Sequence, residues 1–176
     1  MKKVIALGGS NSKKSINKQL ATYAASLLKD AEAEVLDLND FDLPIYSIDI
    51  EGEKGLPTDA VRLNSLFEKC DGFIISLAEH NGSFSAAFKS AIDWVSRAGG
   101  KIFKEKPMLI MATSPGGRGG SSVLETAVSI FPYRGAVIVD SFSLPSFPNN
   151  FKNGKIVNED YNASLKAKVE AFEAEL

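Results

Sequence analysis

Strand-like and helix-like segments alternate along the whole chain, and this alternation constrains the fold more than any other feature of the sequence. Strand candidates are Val4–Leu7, Glu34–Leu38, Gly72–Leu77, Pro107–Thr113 and Ala136–Phe142. Helix candidates, with apolar residues at helical spacing, are Ser15–Lys29, Pro57–Lys69, Ser85–Arg97, Ser121–Phe131 and Tyr161–Glu175. Repeated strand–helix units of this kind predict an α/β fold with a parallel sheet and helices on both of its faces.

The composition of the strand candidates supports a buried sheet. Phe73-Ile74-Ile75 and the run from Met108 to Met111 are continuously apolar, as expected of strands that are covered on both faces. Two segments rich in Pro, Gly, Asn and Asp, Asn39–Gly55 and Leu144–Asn158, are predicted to be loops. A chain of 176 residues is long enough for a substantial core, so we expect one domain over residues 1–176.

Composition excludes several classes of protein. The net charge of −2 gives no broad basic surface for nucleic acid, and it also argues against a strongly acidic electron carrier. A single cysteine excludes a disulfide framework and a thiolate metal cluster. No apolar run approaches the ~18 residues of a membrane span, and Met1-Lys2-Lys3-Val4 is typical of the start of a strand, not of a signal peptide. We therefore expect a cytoplasmic protein without membrane insertion.

A polar loop, Gly8–Asn17, follows the first strand candidate and leads into the first helix candidate. This order builds an anion site, because the first-turn N–H groups of a helix lack partners and carry the positive end of its dipole. Hydroxyl groups of Ser10, Ser12 and Ser15 and the amide of Asn17 supply further donors. Phosphate is the expected ligand. A Ser-rich helix cap that binds nothing is the alternative, since Ser and Asn are favoured caps.

Two common nucleotide motifs fit this loop poorly. A G-x-G-x-x-G turn starting at Gly8 would need glycine at Ser10 and Lys13. A P-loop, G-x-x-x-x-G-K-[ST], matches Gly8, Lys14 and Ser15, but Lys13 occupies the place of its second glycine. The run from Ala136 to Asp140 would supply the acidic partner strand of that motif. The dinucleotide turn is excluded, and the P-loop is disfavoured.

Unusual polar loops also follow the third and fourth strand candidates, at Ala78–Ser85 and Ser114–Ser121. Ligands of open parallel sheets bind beyond the carboxyl ends of the strands, where the strand order reverses. A sheet of order 2-1-3-4-5 places strands one, three and four side by side. In that order the three polar loops would converge on one site.

Each of these loops also matches a longer pattern. Gly9–Asn17 fits G-S-x-R-x-x-S-x-N, and Ala78–Arg97 fits P-x-Y-N-x-S-x-P-G-x-L-K-N-A-I-D-W-x-S-R. Ser114–Gly120 fits S-x-G-G-x-G-G. With these matches the chain resembles the NAD(P)H-dependent FMN reductase family over nearly its whole length. The departures from the patterns are Ser12 for Arg, Ala78 for Pro, His80 for Tyr, and Ser85-Ala86 for Pro-Gly.

The resemblance implies a flavodoxin-like three-layer sandwich, with a five-stranded parallel sheet of order 2-1-3-4-5 and helices on both faces. It implies non-covalently bound FMN, NADPH or NADH as co-substrate, and ping-pong transfer of electrons to flavins, quinones or other small acceptors. A homodimer or homotetramer is also implied. The chemistry belongs to FMN, so no protein side chain is expected to act as acid or base, and no metal is expected.

The same resemblance assigns the cofactor-binding residues. Those assigned to the phosphate and ribityl chain are Ser10, Asn11, Ser15, Ile16 and Asn17. Those assigned to the isoalloxazine are Glu79, His80, Asn81, Gly82, Ser114 and Gly117. Glu79 is expected to contribute through its backbone. Trp94 is expected in the core or at a subunit interface, and Cys70 as a small buried residue.

Two other functions are compatible with the sequence. One is an FMN-binding electron carrier that does not react with NAD(P)H. The other is a flavin-free binding protein of the same fold, which the departures at Ser12, Ala78, His80, Ser85 and Ala86 keep open. Retention of FMN distinguishes the reductase and the electron carrier from the flavin-free protein. Reduction of the bound FMN by NADPH then distinguishes the reductase from the electron carrier.

Overall fold

The computed structural model describes all 176 residues as an α/β structure with nine strands and seven helices. The strands are β1 (Lys2–Gly9), β2 (Ala31–Leu36), β3 (Gly72–Leu77), β4 (Glu79–His80), β5 (Ser83–Phe84), β6 (Lys106–Thr113), β7 (Ala136–Leu144), β8 (Phe151–Lys152) and β9 (Lys155–Ile156). The helices are α1 (Ile16–Ala25), α2 (Ile48–Lys54), α3 (Thr58–Lys69), α4 (Ala86–Gly99), α5 (Ser121–Ile130), α6 (Phe147–Asn150) and α7 (Glu159–Ala174).

Five strands form the central sheet, in the order β2-β1-β3-β6-β7, and all four neighbouring pairs are parallel. Because β6 and β7 are the fourth and fifth strands of this sheet, the predicted order 2-1-3-4-5 is confirmed. The order reverses between β1 and β3, so the carboxyl ends of β1, β3 and β6 lie next to one another. Two short antiparallel hairpins, β4–β5 and β8–β9, lie outside the sheet.

Apolar side chains cover both faces of the sheet, as the continuous runs of its strands predict. On one face Ile5, Ile75 and Ile110 pack with residues of α3, α4 and α5. On the other face Ala6 and Ile74 pack with residues of α1 and α7. Two separate cores result, one on each side of a single sheet, and the predicted three-layer sandwich is confirmed.

The second strand and the first helix differ from their predicted bounds. The strand predicted at Glu34–Leu38 is Ala31–Leu36, because the Asp37 carboxylate accepts from the Asn39 N–H and starts a 3₁₀ turn. The helix predicted at Ser15–Lys29 ends at Ala25, since Leu27 and Leu28 bond three residues back instead of four. Neither change alters the order of the elements.

The two segments predicted to be loops contain regular structure. Asn39–Gly55 includes α2, which has capping residues at both ends but no buried residue. Leu144–Asn158 includes α6 and the β8–β9 hairpin, whose turn is Asn153-Gly154 with φ of 52° and 78°. Prediction from hydrophobic periodicity misses such elements because they present too few apolar residues to the core.

Two single residues lie where the sequence places them. Trp94 is fully buried within the chain, and its indole N–H donates to the Pro44 carbonyl oxygen at 2.7 Å. Cys70 is buried at the end of α3. No helix has the length and apolar character needed to cross a membrane.

Candidate functional site

The loops that follow β1, β3 and β6 surround one cavity of about 300 Å³ at the carboxyl edge of the sheet. The predicted site residues that line it are Ser10, Ser15, Ile16, Asn17, Glu79, His80 and Ser114. Residues of the wall that were not predicted as cofactor contacts are Ser12, Lys14, Ala78, Thr113 and Pro115. The predicted convergence of three loops is therefore present in the structure.

Four predicted residues lie outside this wall. Asn11 lines a neighbouring cavity of about 410 Å³ together with the segment from Leu38 to Leu43. Asn81 and Gly82 form the exposed turn of the β4–β5 hairpin, with φ of 52° and 77°. Gly117 lies in the exposed loop after β6. These residues are at the margins of the cavity rather than in it.

Three serine hydroxyl groups in the first loop are arranged as donors for an anion. Each hydroxyl oxygen already accepts a backbone N–H: Ser10 from Ser12 at 3.1 Å, Ser12 from Lys14 at 3.3 Å, and Ser15 from Lys18 at 3.0 Å. None of the three hydroxyl groups donates to a protein acceptor, so each proton is free for a ligand. The loop therefore presents three hydroxyl donors to a ligand, and each of these hydroxyl oxygens already accepts a hydrogen bond within the chain.

The first turn of α1 adds backbone donors to this set. The N–H groups of Ile16 and Asn17 have no acceptor in the chain, and both residues line the cavity. They carry the positive end of the helix dipole, which favours an anion at this point. Lys14 also lines the cavity and has no ion-pair partner, whereas Lys18 is neutralised by Asp37 at 2.5 Å.

Burial opposes ionisation of Asp37, but bonds from Lys18 and Asn39 outweigh it and hold the pKa of this carboxyl group below its usual value. The Asp37 carboxylate therefore stays ionised at neutral pH. Lys14 is the cation of the cavity wall that remains available to a ligand.

The side chain of Asn17 holds the helix on the sheet. Its carbonyl oxygen accepts from the Ser76 hydroxyl at 2.7 Å and the Thr113 N–H at 3.0 Å. Its NH₂ group donates to the Thr113 carbonyl oxygen at 3.1 Å. These buried bonds join the start of α1 to the carboxyl ends of β3 and β6, so the Asn17 side chain positions the N-terminus that faces the cavity.

The β4–β5 hairpin forms a second wall. Phe84 stacks on Phe131 with ring centroids 5.7 Å apart. Glu79, the cross-strand partner of Phe84, accepts with its carboxylate from the Val123 N–H at 3.1 Å, in the first turn of α5. Only the backbone of Glu79 was expected from the sequence to take part in the site, so this side-chain contact is an additional finding.

The Gly-rich loop after β6 contains two different pairs of glycines. Gly119 and Gly120 have φ of 58° and 75°, and a Cβ at Gly119 would lie 2.3 Å from the Ser143 hydroxyl oxygen, so the fold itself requires this pair. Gly116 and Gly117 have no positive φ and no atom within 4 Å of a Cβ position. The fold does not require them, and the space beside them is open to a flat ligand.

The structure does not support a P-loop. Asp140, the acidic residue that this motif would need, lies on β7 and binds the Lys168 ammonium at 2.6 Å. Cavity size alone does not identify the site either, because a cavity of about 340 Å³ lies between Lys3 and Lys69 at the amino edge of the sheet. The free hydroxyl and N–H donors distinguish the cavity at the carboxyl edge from the one at the amino edge.

The model of the NADPH-dependent FMN reductase family matches residues 2–149 of this chain. The chain belongs to this family. Membership confirms the resemblance inferred from the three motifs and, with it, FMN as the cofactor. The matched residues include all three loops of the cavity.

The names of two relatives are consistent with membership of this family. The chain is 34% identical to a quinone reductase of Escherichia coli over 119 residues, which is 67% of this chain and 63% of that protein. It therefore spans less than two thirds of that relative. It is 30% identical to a 2-hydroxy-1,4-benzoquinone reductase of a Burkholderia species over 183 residues, covering 98% of this chain and 94% of the relative.

A solved structure supports the fold over the full chain. FerB, a flavoenzyme NAD(P)H:(acceptor) oxidoreductase from Paracoccus denitrificans, superposes with a TM-score of 0.81 at 27% identity. The match covers 99% of this chain and 97% of FerB. The flavodoxin-like fold of this FMN reductase family member is therefore shown along the whole chain.

The residues of the cavity fit FMN. Free hydroxyl and N–H donors at the start of α1, with Lys14, suit a phosphate. Beyond the wall residues Ser114 and Pro115, the same loop leaves open space at Gly116 and Gly117, which suits a planar ring that approaches the backbone closely. Ser12 and Ala78, which depart from the family patterns, both line this cavity. Thr113 was not identified from the sequence because it lies within an apolar strand candidate.

Proposed function

We propose that this chain, as one FMN-binding domain over residues 1–176, reduces quinones with electrons from NADPH or NADH by a ping-pong mechanism. One observation carries the proposal: free anion donors at the start of α1 line the same cavity as residues of the two loops that follow β3 and β6. The names of the E. coli and Burkholderia relatives support quinones as the acceptor class. Free flavins and other small acceptors belong to the same proposal.

In this proposal the first loop holds the anionic end of the cofactor. The N–H groups of Ile16 and Asn17 and the hydroxyl groups of Ser10 and Ser15 donate to the phosphate and ribityl chain. The Ser12 hydroxyl and the Lys14 ammonium supply the phosphate with part of the hydrogen bonding and positive charge that the arginine of the family pattern would provide. Asn11 is proposed as a contact at the margin of this end.

The other two loops hold the ring. Backbone groups of Glu79, His80 and Ser114 line the slot, with Asn81, Gly82 and Gly117 at its margin. Bound FMN supplies the hydride chemistry, so the task of these residues is to bind and orient. His80 is exposed beside the cavity and is placed to contact the edge of a bound acceptor or cofactor.

The size of the cavity supports the proposed ping-pong mechanism. About 300 Å³ is at the lower limit of small-molecule sites, so NAD(P)H and quinone are expected to use the same open face in turn. The oligomeric state and the cytoplasmic location expected from the sequence stay predictions.

Initial-rate kinetics test this function. With FMN bound, NADPH is varied at several fixed concentrations of a 1,4-benzoquinone, and double-reciprocal plots are expected to be parallel. Intersecting lines would contradict the ping-pong mechanism. A chain that holds FMN but oxidises no NADPH with quinone or free flavin would contradict the reductase and favour the electron carrier.

A further inference from the structure

Two helix N-termini lie near the cavity but are capped differently: that of α1 lines the cavity, and that of α5 contacts Glu79 in the cavity wall. In α1 the third N–H of the helix, at Lys18, is accepted by the neutral hydroxyl of Ser15, the residue at the cap. In α5 the corresponding N–H, at Val123, is accepted by the carboxylate of Glu79, 44 residues away in the sequence. One N-terminus thus keeps its positive potential, and the other has a negative charge on it.

The backbone of α5 explains why the cap comes from another loop. Gly120 at the cap position has φ of 75° and no side chain, so α5 has no cap of its own. Gly119 before it is also left-handed, with φ of 58°. The close contact between Gly119 and Ser143 excludes a larger residue there. The loop after β6 requires these glycines, and the carboxylate of Glu79 supplies the missing acceptor.

The same bond joins two walls of the cavity. Glu79 lies on β4 of the hairpin that follows β3, and Val123 lies on the helix that follows the loop after β6. Both loops flank the slot for the ring. Glu79 and Phe84 are paired across the hairpin, so stacking of Phe84 on Phe131 attaches the same face of the hairpin as the polar contact.

We propose that Glu79 is a positioning residue that determines the orientation of the cofactor. Its charge occupies the N-terminus of α5 and leaves the N-terminus of α1 as the place for an anion, and its hydrogen bond fixes the hairpin to α5. The orientation of FMN rests on the proposed function, whereas the choice between the two helix ends can be tested without flavin.

The first test uses sodium sulfate as the anion and the protein without FMN. Backbone amide NMR shifts are followed in the wild type, in Glu79→Gln and in the matched control Glu125→Gln, which removes an exposed charge from the same helix. Wild type and control are expected to show sulfate shifts at Ile16 and Asn17 only. Glu79→Gln, which keeps an acceptor for Val123 but loses the charge, is expected to show an additional shift at Ser122, because the Ser122 N–H has no acceptor whereas the Ser121 N–H donates to the Arg118 carbonyl oxygen.

The second test separates the hydrogen bond from the charge. In Glu79→Ala the Val123 N–H has no acceptor, so its hydrogen exchange is expected to accelerate about tenfold relative to Glu79→Gln. FMN affinity is expected to fall about tenfold in Glu79→Ala and to stay within about threefold of wild type in Glu79→Gln.

A sulfate shift at Ser122 in the wild type, or no shift there in Glu79→Gln, would contradict the role proposed for the Glu79 charge. Equal hydrogen-exchange rates of the Val123 amide in folded Glu79→Ala and folded Glu79→Gln would contradict the role proposed for the Glu79 hydrogen bond. Failure of the proposed function gives a different result: the wild type would retain no FMN, or would not react with NADPH, while the sulfate shifts follow the expected pattern.

Discussion

At the scale of single residues, Asn17 has the largest structural role in the site. Its side chain satisfies the Ser76 hydroxyl and both backbone groups of Thr113 in a buried position. Asn17→Ala leaves these groups without partners and is expected to lower the free energy of unfolding by about 3 kcal/mol. Urea denaturation measures this change. The control Asn39→Ala, which loses an exposed bond to Asp37, is expected to change stability by less than about 1 kcal/mol. Equal effects of both variants would contradict this role.

Ser12 is the departure from the family pattern that bears most directly on the phosphate. Its side chain lines the cavity, so Ser12→Arg places a guanidinium beside the expected anion. We expect FMN to bind about tenfold tighter, and riboflavin, which lacks the phosphate, to bind as before. Fluorescence quenching titrations of both flavins measure this, with Ser26→Arg at the exposed end of α1 as the control for net charge. An equal gain for riboflavin would place the arginine away from the phosphate.

Cys70 gives a pH dependence whose sign follows from its burial. Burial raises the pKa of the Cys70 thiol from 9.0 to about 11. Below pH 9 the thiol is protonated in both folded and unfolded chains and contributes nothing to the pH dependence. Between about pH 9 and 11 the unfolded chain loses the proton and the folded chain keeps it, so stability falls as pH rises.

Cys70→Ala is expected to remove this loss of stability. Urea denaturation of the wild type and Cys70→Ala at pH 8 and pH 10 measures the difference. An identical change of stability with pH in the two proteins would show that the thiol does not ionise differently on folding.

At the scale of elements, the loop after β6 combines a structural and a functional pair of glycines. Gly120→Ala puts a Cβ 2.9 Å from the Cβ of Ala112 in a left-handed conformation, and we expect a loss of about 2 kcal/mol or more. Gly117→Ala meets no atom within 4 Å, so stability is expected to stay within about 0.5 kcal/mol while FMN affinity falls. Thermal unfolding measures the stability of the two variants, and FMN titration measures their affinity for the cofactor. A destabilised Gly117→Ala protein would contradict the assignment of this glycine to the ligand.

The sequence predicts the elements of the sheet well and the small elements around it poorly. The central strands β1, β3 and β6 were identified because they are buried on both faces and therefore apolar, whereas the edge strand β2 is mostly exposed. The helix α2 carries a Ser47 cap, acidic residues in its first turn and Gly55 at its end, but no buried residue, so hydrophobic spacing does not reveal it. Asn81-Gly82 is a strong hairpin signal that was interpreted only as a loop.

Within the site, the sequence locates the three loops but not the contacts between them. The contact between Glu79 and Val123 joins residues of two different loops, and no local pattern relates them. The Asn17 side chain was expected to face the ligand, but it bonds to Ser76 and Thr113. Such pairings depend on how the strands are ordered in the sheet, and local sequence does not contain that information.

At the scale of the whole molecule, the site results from the strand order. The reversal between β1 and β3 brings the ends of β1, β3 and β6 together, and each of these strands carries a polar loop at its carboxyl end. Rigid, doubly covered strands hold these loops, so the donors of α1 are positioned before a ligand binds. Binding of FMN is accordingly expected to need little rearrangement of the backbone.

The measurement that tests this account most directly is the visible spectrum of the protein after FMN addition and desalting, followed by anaerobic titration with NADPH. The account predicts a retained flavin band near one equivalent that NADPH bleaches, and Asn17→Ala is expected to retain less flavin than the wild type. A wild-type protein that emerges without a flavin band would contradict the central claim that these three loops form an FMN site.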